Sequence, residues 1–176
     1  MTPAADHEEG KWAWAFTPRQ PNEKRYWLVK SEPTVFSFDD LRAAAKQTTQ
    51  WDGVRNYVAR NFIRDGMKRG DRVFYYHSST NPQAIVGIAE VAREAYPDPT
   101  AIDKKHPGFD AKSDPNHPIW YAVDIKAVAP LDRPVTLTEI KGNKALANMA
   151  LVRIGRLSVT PVTPQEWDTI VGMAKS

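Results

Sequence analysis

The sequence predicts an α+β protein: a small curled β-sheet or barrel with a few short helices at its edges. Three observations indicate this class. Short β-prone runs recur along the chain, helical periodicity is confined to a few segments, and strands and helices do not alternate as they do in a βαβ layer. The length of 176 residues, with 41% hydrophobic and 26% charged residues, is typical of one ordinary globular domain.

The first elements follow from strand and capping signals. Residues 26–30 (Tyr-Trp-Leu-Val-Lys) form an apolar run of β-type residues, and Pro33 ends the predicted strand. Ser37, with an acid three residues later, begins a short helix over 41–46. A second helix follows Trp51 and ends near residue 68, because apolar residues recur there at four-residue spacing.

Four more strands and a C-terminal helix complete the predicted fold. The strands are expected at 72–77, 84–91, 119–128 and 157–162, which makes a sheet of about five to six strands. Gly87, in the middle of a strand, indicates a bulge or the close approach of another group. Thr163 and Pro164 begin the last helix. The segment between Tyr96 and Pro118 contains five prolines and is predicted as a long loop.

The chain divides into residues 1–24, predicted as a flexible N-terminal tail, and residues 25–174, predicted as a single domain. The tail is polar and punctuated by proline, apart from the apolar run of residues 11–16. Such a segment cannot bury enough surface to offset its ordering entropy unless it docks on the domain or on a partner.

Several functional classes are excluded or disfavoured by what the sequence lacks. It contains no Cys, so a disulfide framework, a Cys-containing zinc site and a cysteine nucleophile are excluded. It has no apolar run of membrane-spanning length and no signal peptide, so we expect a cytoplasmic protein without a membrane partner. Nucleotide-binding and nucleophile-elbow motifs are absent. The spacing of His106, Asp110, Asp114 and His117 does not suit a metal, and we expect no metal, no cofactor and no catalysis.

Basic residues concentrate in one segment. Lys and Arg number 24 against 21 Asp and Glu, a net charge of +3, and residues 52–72 alone hold six basic and three acidic residues, the same surplus. At helical spacing, Arg60, Arg64 and Lys68 form a cationic ridge. Such a ridge can contact phosphate, although a solvated helix face carries the same pattern.

Aromatic residues lie beside polar ones in a way that suits an unstacked base. Stacking on an aromatic ring contributes about 1–3 kcal/mol, and neighbouring polar groups can read a base edge. Most aromatic residues here also suit the core of a small barrel. Trp51 differs, because it is predicted to lie in a turn next to Gly53 rather than in a strand.

Motifs spread over residues 26–171 resemble those of the EVE domain. They include Lys-Ser-Glu-Pro at 30–33, Trp-Asp-Gly-Val-Arg-Asn-Tyr at 51–57, Tyr-His-Ser at 76–78, Val-Gly-Ile-Ala at 86–89 and Arg-Leu-Ser-Val at 156–159. The chain looks like a bacterial stand-alone member of that family. The resemblance implies a PUA-like fold, a curled mixed β-barrel with peripheral helices, distantly similar to the YTH domains.

The resemblance also implies a function: recognition of a modified base, notably 5-methylcytosine and its oxidised forms in DNA, flipped into a pocket. Trp51 would form the stacking wall. The other base-binding residues implied are Lys30, Ser31, Glu32, Arg55, Asn56, Tyr76, His77, Ser78, Arg156 and Ser158. Tyr96 or Phe109 would supply a second aromatic wall, and Arg60, Arg64 and Lys68 would contact the nucleic-acid backbone.

Three alternatives remain open at this point. PUA-like domains also serve RNA, so the ligand can be a modified ribonucleotide. An enzyme acting on a modified base would use Glu32 or His77 as acid or base. An interaction domain would use the aromatic residues at 12–16 to capture a protein partner.

Overall fold

The computed structural model describes residues 11–175, whose centre is one six-stranded mixed sheet. Strand β1 pairs in parallel with β3, and every other neighbouring pair is antiparallel. The order across the sheet is β2-β5-β4-β3-β1-β6, so the sheet is open and not closed into a barrel. The strands are β1 (Tyr26–Ser31), β2 (Thr48–Trp51), β3 (Arg72–His77), β4 (Ala84–Pro97), β5 (Tyr121–Thr136) and β6 (Val159–Val162).

Seven short α-helices surround the described part of the sheet. They are α1 (Pro33–Phe36), α2 (Phe38–Ala43), α3 (Tyr57–Asn61), α4 (Pro99–Ile102), α5 (Leu137–Lys141), α6 (Ala150–Arg153) and α7 (Pro164–Ala174). Reciprocal capping boxes begin three of them, at Ser37, Thr136 and Thr163. Within residues 11–175, no helix has the length and apolar character needed to cross a membrane. The predicted α+β class and strand number are confirmed.

The sheet is buried on both faces. In β1, Trp27 and Val29 belong to one hydrophobic core and Leu28 to the other, and all three side chains are fully buried. Because successive strand residues point to opposite faces, a run of three buried residues requires cover on both sides. Helices α2 and α3 cover the first core, and α5 and α7 cover the second.

Gly87 marks a close approach, as its position in a strand predicts. A Cβ at this position would lie 2.5 Å from ring atoms of Phe38 in α2, and the register of β4 against β5 shifts next to it. The absent side chain therefore lets α2 pack directly on the sheet.

Several element boundaries differ from the prediction. The two longest strands, β4 and β5, extend well beyond 84–91 and 119–128, because each continues past bulges that interrupt its apolar alternation. Strand β2 was not predicted, since its residues are polar and only half-buried. The helix expected to reach residue 68 is α3 followed by a π-helical turn, Phe62–Gly66.

The segment before β1 packs on the domain. A 3₁₀ turn, Ala13–Phe16, buries Ala15 completely within the first core. The ring of Phe16 stacks on that of Phe62 at 5.4 Å between centroids. Of the aromatic residues expected to capture a partner, Trp12 and Phe16 pack against the chain's own core, whereas Trp14 is exposed.

This docking differs from the flexible tail predicted for residues 1–24. Arg19 donates two hydrogen bonds of 2.6 Å to Asp71, a buried carboxylate that composition alone does not reveal. The contacts offset the ordering entropy of residues 11–24. Residues 1–10 of the predicted tail lie outside the described residues.

Asp71 is the centre of this packing. Its carboxylate is fully buried and accepts hydrogen bonds from both Arg19 nitrogens, the backbone N–H groups of Arg25 and Lys68, and Nε1 of Trp27. A buried charge is tolerated only when it is paired and hydrogen-bonded, and here the donors come from three segments: the chain around Arg19, the start of β1 and the turn before β3.

We expect Asp71→Asn to lower the free energy of unfolding by about 3–5 kcal/mol, because it leaves the Arg19 guanidinium without its buried counter-charge. Urea denaturation measures the change. The exposed Asp168 provides the control, and Asp168→Asn should alter stability by less than about 0.5 kcal/mol. A loss below about 1 kcal/mol at position 71 would show that the cluster is not a stability determinant.

Candidate functional site

A pocket of about 520 Å³ opens beside the ends of β1 and β2. This volume falls within the range of roughly 300–1,000 Å³ common to small-molecule sites. The residues that line it are Lys30, Ser31, Val35, Phe36, Thr49, Gln50, Trp51, Asp52, Gly53, Val54, Arg55, Asn56, Arg156 and Ser158. Seven of these were predicted as base-binding residues, and they come from three separate motifs of the sequence.

Trp51 forms one wall and is half-buried. It is the last residue of β2, opposite Val123 of β5, and does not lie in a turn as the sequence predicts. Its indole meets the buried ring of Tyr75 edge-on, at 5.5 Å between centroids. The Tyr75 hydroxyl donates a 2.7 Å hydrogen bond to the carbonyl of Phe36, so one buried ring supports two pocket residues.

The loop after Trp51 is clamped by Asp98. This fully buried carboxylate accepts hydrogen bonds from the Gly53 backbone N–H at 2.8 Å, from Nη1 of Arg55 at 2.9 Å, and from the N–H and hydroxyl of Thr100. Burial acts to raise the pKa of Asp98. The hydrogen bonds from Thr100, Arg55 and Gly53 outweigh it and hold that pKa below its ordinary value.

Arg55 and Asn56 line the pocket while also fixing its shape. The Arg55 guanidinium donates to Asp98, to the hydroxyl of Thr100 and to the carbonyl of Gly108. Oδ1 of Asn56 accepts from two backbone N–H groups and caps α3. Both side chains therefore form part of the pocket wall, and hydrogen bonds to residues outside the pocket hold them in place.

The opposite wall combines β1 with the segment before β6. Nζ of Lys30 donates to the carbonyl of Gly155 and lies 5.7 Å from the centre of the Tyr76 ring. Burial lowers the pKa of Lys30 below its ordinary value. Arg156 and Ser158 reach the same wall from the segment that precedes β6.

A second pocket, of about 390 Å³, lies on the other side of this wall. The two pockets share Lys30, Ser31, Arg156 and Ser158. The remaining lining residues of the second pocket are Glu32, Ser78, Ser79, Gln83 and Gly155. Glu32 and Ser78, predicted to join Trp51 around one base, are thus placed in the adjoining cavity.

Tyr76 and His77 line neither pocket, in contrast to the prediction. Tyr76 is 1% exposed, and its hydroxyl donates to Oε1 of Gln83. Nε2 of His77 accepts a hydrogen bond from the backbone N–H of Phe38. Strand residues at 76 and 77 point to opposite faces, which the motif spacing does not show.

Neither candidate for the second aromatic wall lines the pocket. The Tyr96 hydroxyl donates to Asp124 and lies 3.2 Å from Oε1 of Gln50 in β2. Phe109 is exposed in the connection between α4 and β5. Phe36 and the exposed Val35 of α1 supply the apolar surface instead. In the sequence, this apolar surface could have been predicted from Val35 and Phe36, which closely follow Pro33.

Two of the three residues in the predicted cationic ridge lie beside carboxylates, and the third bonds to a neutral carbonyl. Arg64 forms a two-point ion pair with Asp65, and Lys68 lies 3.9 Å from Glu94. Arg60 donates to the carbonyl of Ile119. The acidic partners come from neighbouring positions and from β4, so residue spacing along α3 alone overstates the free positive charge.

Fold and site together define an α+β binding domain with a pocket that joins an indole to cationic and hydroxyl groups. The family model of the EVE domain matches residues 25–173, and the chain belongs to that family. It is 41% identical to human thymocyte nuclear protein 1 over 169 residues, which cover 86% of this chain and 75% of the relative.

Solved structures agree with this assignment. Human THYN1 in complex with 5-methylcytosine containing DNA superposes with a TM-score of 0.83 at 39% identity, covering 87% of this chain and 99% of that one. A hypothetical protein from Leishmania major gives a TM-score of 0.82 at 46% identity, covering 89% and 98%. These matches confirm the predicted PUA-like fold.

His77 makes the stability of this region depend on pH. Burial lowers its pKa below the ordinary value, although Asp39 and Asp40 act in the opposite direction. The unfolded chain therefore takes up a proton more readily than the folded chain as the pH falls below about 6.5, and folding loses stability there.

Urea unfolding at about pH 7.5 and about pH 5.5 tests this dependence. We expect the wild type to lose more stability across the interval than His77→Gln, in which Oε1 can still accept from Phe38 but does not titrate. Equal losses in the two proteins would assign the pH dependence to other groups.

Proposed function

We propose that this chain is a non-catalytic nucleic-acid-binding module that accepts a flipped modified base, of the 5-methylcytosine type, against Trp51. The observation that carries the proposal is the pocket, which places a half-buried indole opposite Lys30, Ser31 and Arg156. The DNA complex of human THYN1 supports the choice of ligand.

The energetics are consistent with base extrusion. Flipping a base costs a few kcal/mol, and stacking on one aromatic ring returns about 1–3 kcal/mol. Hydrogen bonds from hydroxyls such as Ser31 and Ser158 and from the Arg156 guanidinium would supply the rest. No part of this balance requires a reaction, so a binding role suffices.

Selectivity for the methyl group is expected to be modest. Burying one methyl contributes about 0.8 kcal/mol, which is about four-fold in affinity. The apolar side chains of Val35, Phe36 and Val54 line the same pocket as Trp51 and are the surfaces available to a methyl group.

Matched oligonucleotides with cytosine or 5-methylcytosine test the proposal by fluorescence anisotropy. We expect Trp51→Ala to weaken binding of the methylated strand by about 5- to 150-fold, the loss of one stacked base. Trp14→Ala is the control, because Trp14 is 37% exposed and does not line the pocket. Thermal melts of both variants show whether the fold is retained.

Equal affinity for both strands, unchanged in a folded Trp51→Ala protein, would reject the proposal. An RNA strand carrying the same base distinguishes an RNA reader, which would bind it more tightly than DNA. Mass spectrometry of the recovered strand distinguishes an enzyme, since turnover would change the mass of the modified base.

A further inference from the structure

The second pocket differs chemically from the first. Its side chains are polar without exception: the hydroxyls of Ser31, Ser78, Ser79 and Ser158, the amide of Gln83, the cations of Lys30 and Arg156, and the carboxylate of Glu32. The first pocket contains Trp51, Phe36, Val35 and Val54 in addition to polar groups. One cavity can therefore hold a flat apolar ring, and the other suits a small polar group.

Among the described residues, the two cations on the shared wall are not bonded to a carboxylate, unlike Arg64 and Lys68 of the predicted ridge. Within residues 11–175, Arg156 has no hydrogen bond or ion pair to its guanidinium and is exposed. Lys30 donates to the neutral carbonyl of Gly155 and not to a carboxylate. By contrast, Arg64 is held by Asp65.

We propose that the second pocket binds a phosphodiester group of the same strand, next to the nucleotide whose base enters the first pocket. The inference rests on the proposed function, because it assigns the backbone of the same ligand. Serine hydroxyls and two cations donate hydrogen bonds that phosphate oxygens accept, and the four lining residues that the pockets share place the two cavities side by side. Backbone contact is thereby assigned to the wall between the pockets, and not to α3.

Glu32 limits how tightly the phosphodiester binds. Its carboxylate lines the second pocket and is exposed, so it repels an anion there. Neutralising this side chain should strengthen backbone binding, an outcome that a misfolded protein cannot produce.

The test compares 5-methyl-2′-deoxycytidine, which has no phosphate, with a trinucleotide that has 5-methylcytosine at its centre, using NMR titration. Ser79 is the position to change: it lines only the second pocket, is exposed, and has φ +52°, a conformation that Asp and Asn adopt readily. Ser79→Asp adds a negative charge to that pocket, and Ser79→Asn is its neutral counterpart.

We expect Ser79→Asp to weaken binding of the trinucleotide by about five-fold. The slope of log affinity against log salt should also fall by about 0.7, which is the value for the loss of one phosphate contact on a single strand. Ser79→Asn also removes the hydroxyl but supplies an amide N–H donor and no charge, so it should weaken the trinucleotide much less than Ser79→Asp does. Glu32→Gln should bind the trinucleotide more tightly. The nucleoside should bind equally to all of these proteins, and inorganic phosphate should compete with the trinucleotide only.

The outcomes separate the two proposals. If the nucleoside binds and Trp51→Ala abolishes its binding, but the Ser79 and Glu32 variants leave trinucleotide affinity unchanged, the second pocket is not a phosphate site and the base site stands. If neither ligand binds the wild type, the proposed function itself fails. A loss in Ser79→Asn equal to that in Ser79→Asp would overturn the electrostatic assignment.

Discussion

The candidate site depends on one buried carboxylate. Asp98 lies at the end of β4 and accepts from Gly53 and Arg55, in the loop that follows Trp51. Together with the burial of Val54 in the first core, these hydrogen bonds fix the segment between β2 and α3 relative to the sheet. Because the carboxylate is fully buried and its hydrogen bonds lower its pKa, it stays charged and paired at neutral pH. The clamp therefore holds an open pocket without filling it.

A second buried carboxylate, Asp71, orders another part of the fold. Asp71 joins the N-terminal segment, β1 and the turn before β3, far in sequence from the loop that Asp98 holds. Both acids satisfy several backbone and guanidinium donors at once, which is what makes burial of their charge affordable in free energy. Short helices and irregular loops are thus ordered by polar contacts as much as by hydrophobic packing.

Charge distribution separates structural cations from those available to a ligand. Arg19, Arg55 and Arg64 each bond to a carboxylate of the same chain. Among residues 11–175, Arg156 and Lys30 have no bond to a carboxylate, and both lie on the wall between the two pockets. A count of basic residues along the sequence gives equal weight to these five side chains. A bound anion would interact mainly with the two that have no carboxylate partner among the described residues.

Sequence patterns by themselves determined the α+β class, most strands and the cluster of motifs that surrounds Trp51. They succeeded because strand alternation, capping residues and motif composition act over a few neighbouring positions. The tertiary structure alone decided that Glu32 and Ser78 face a different cavity from Trp51, that Tyr76 is buried, and that Lys68 lies beside Glu94 of β4. These outcomes depend on which residues from distant segments meet in the folded chain. The spacing of residues along the sequence does not predict such contacts. Strand β2 shows the same limit, since its polar residues become a strand only by pairing with β5.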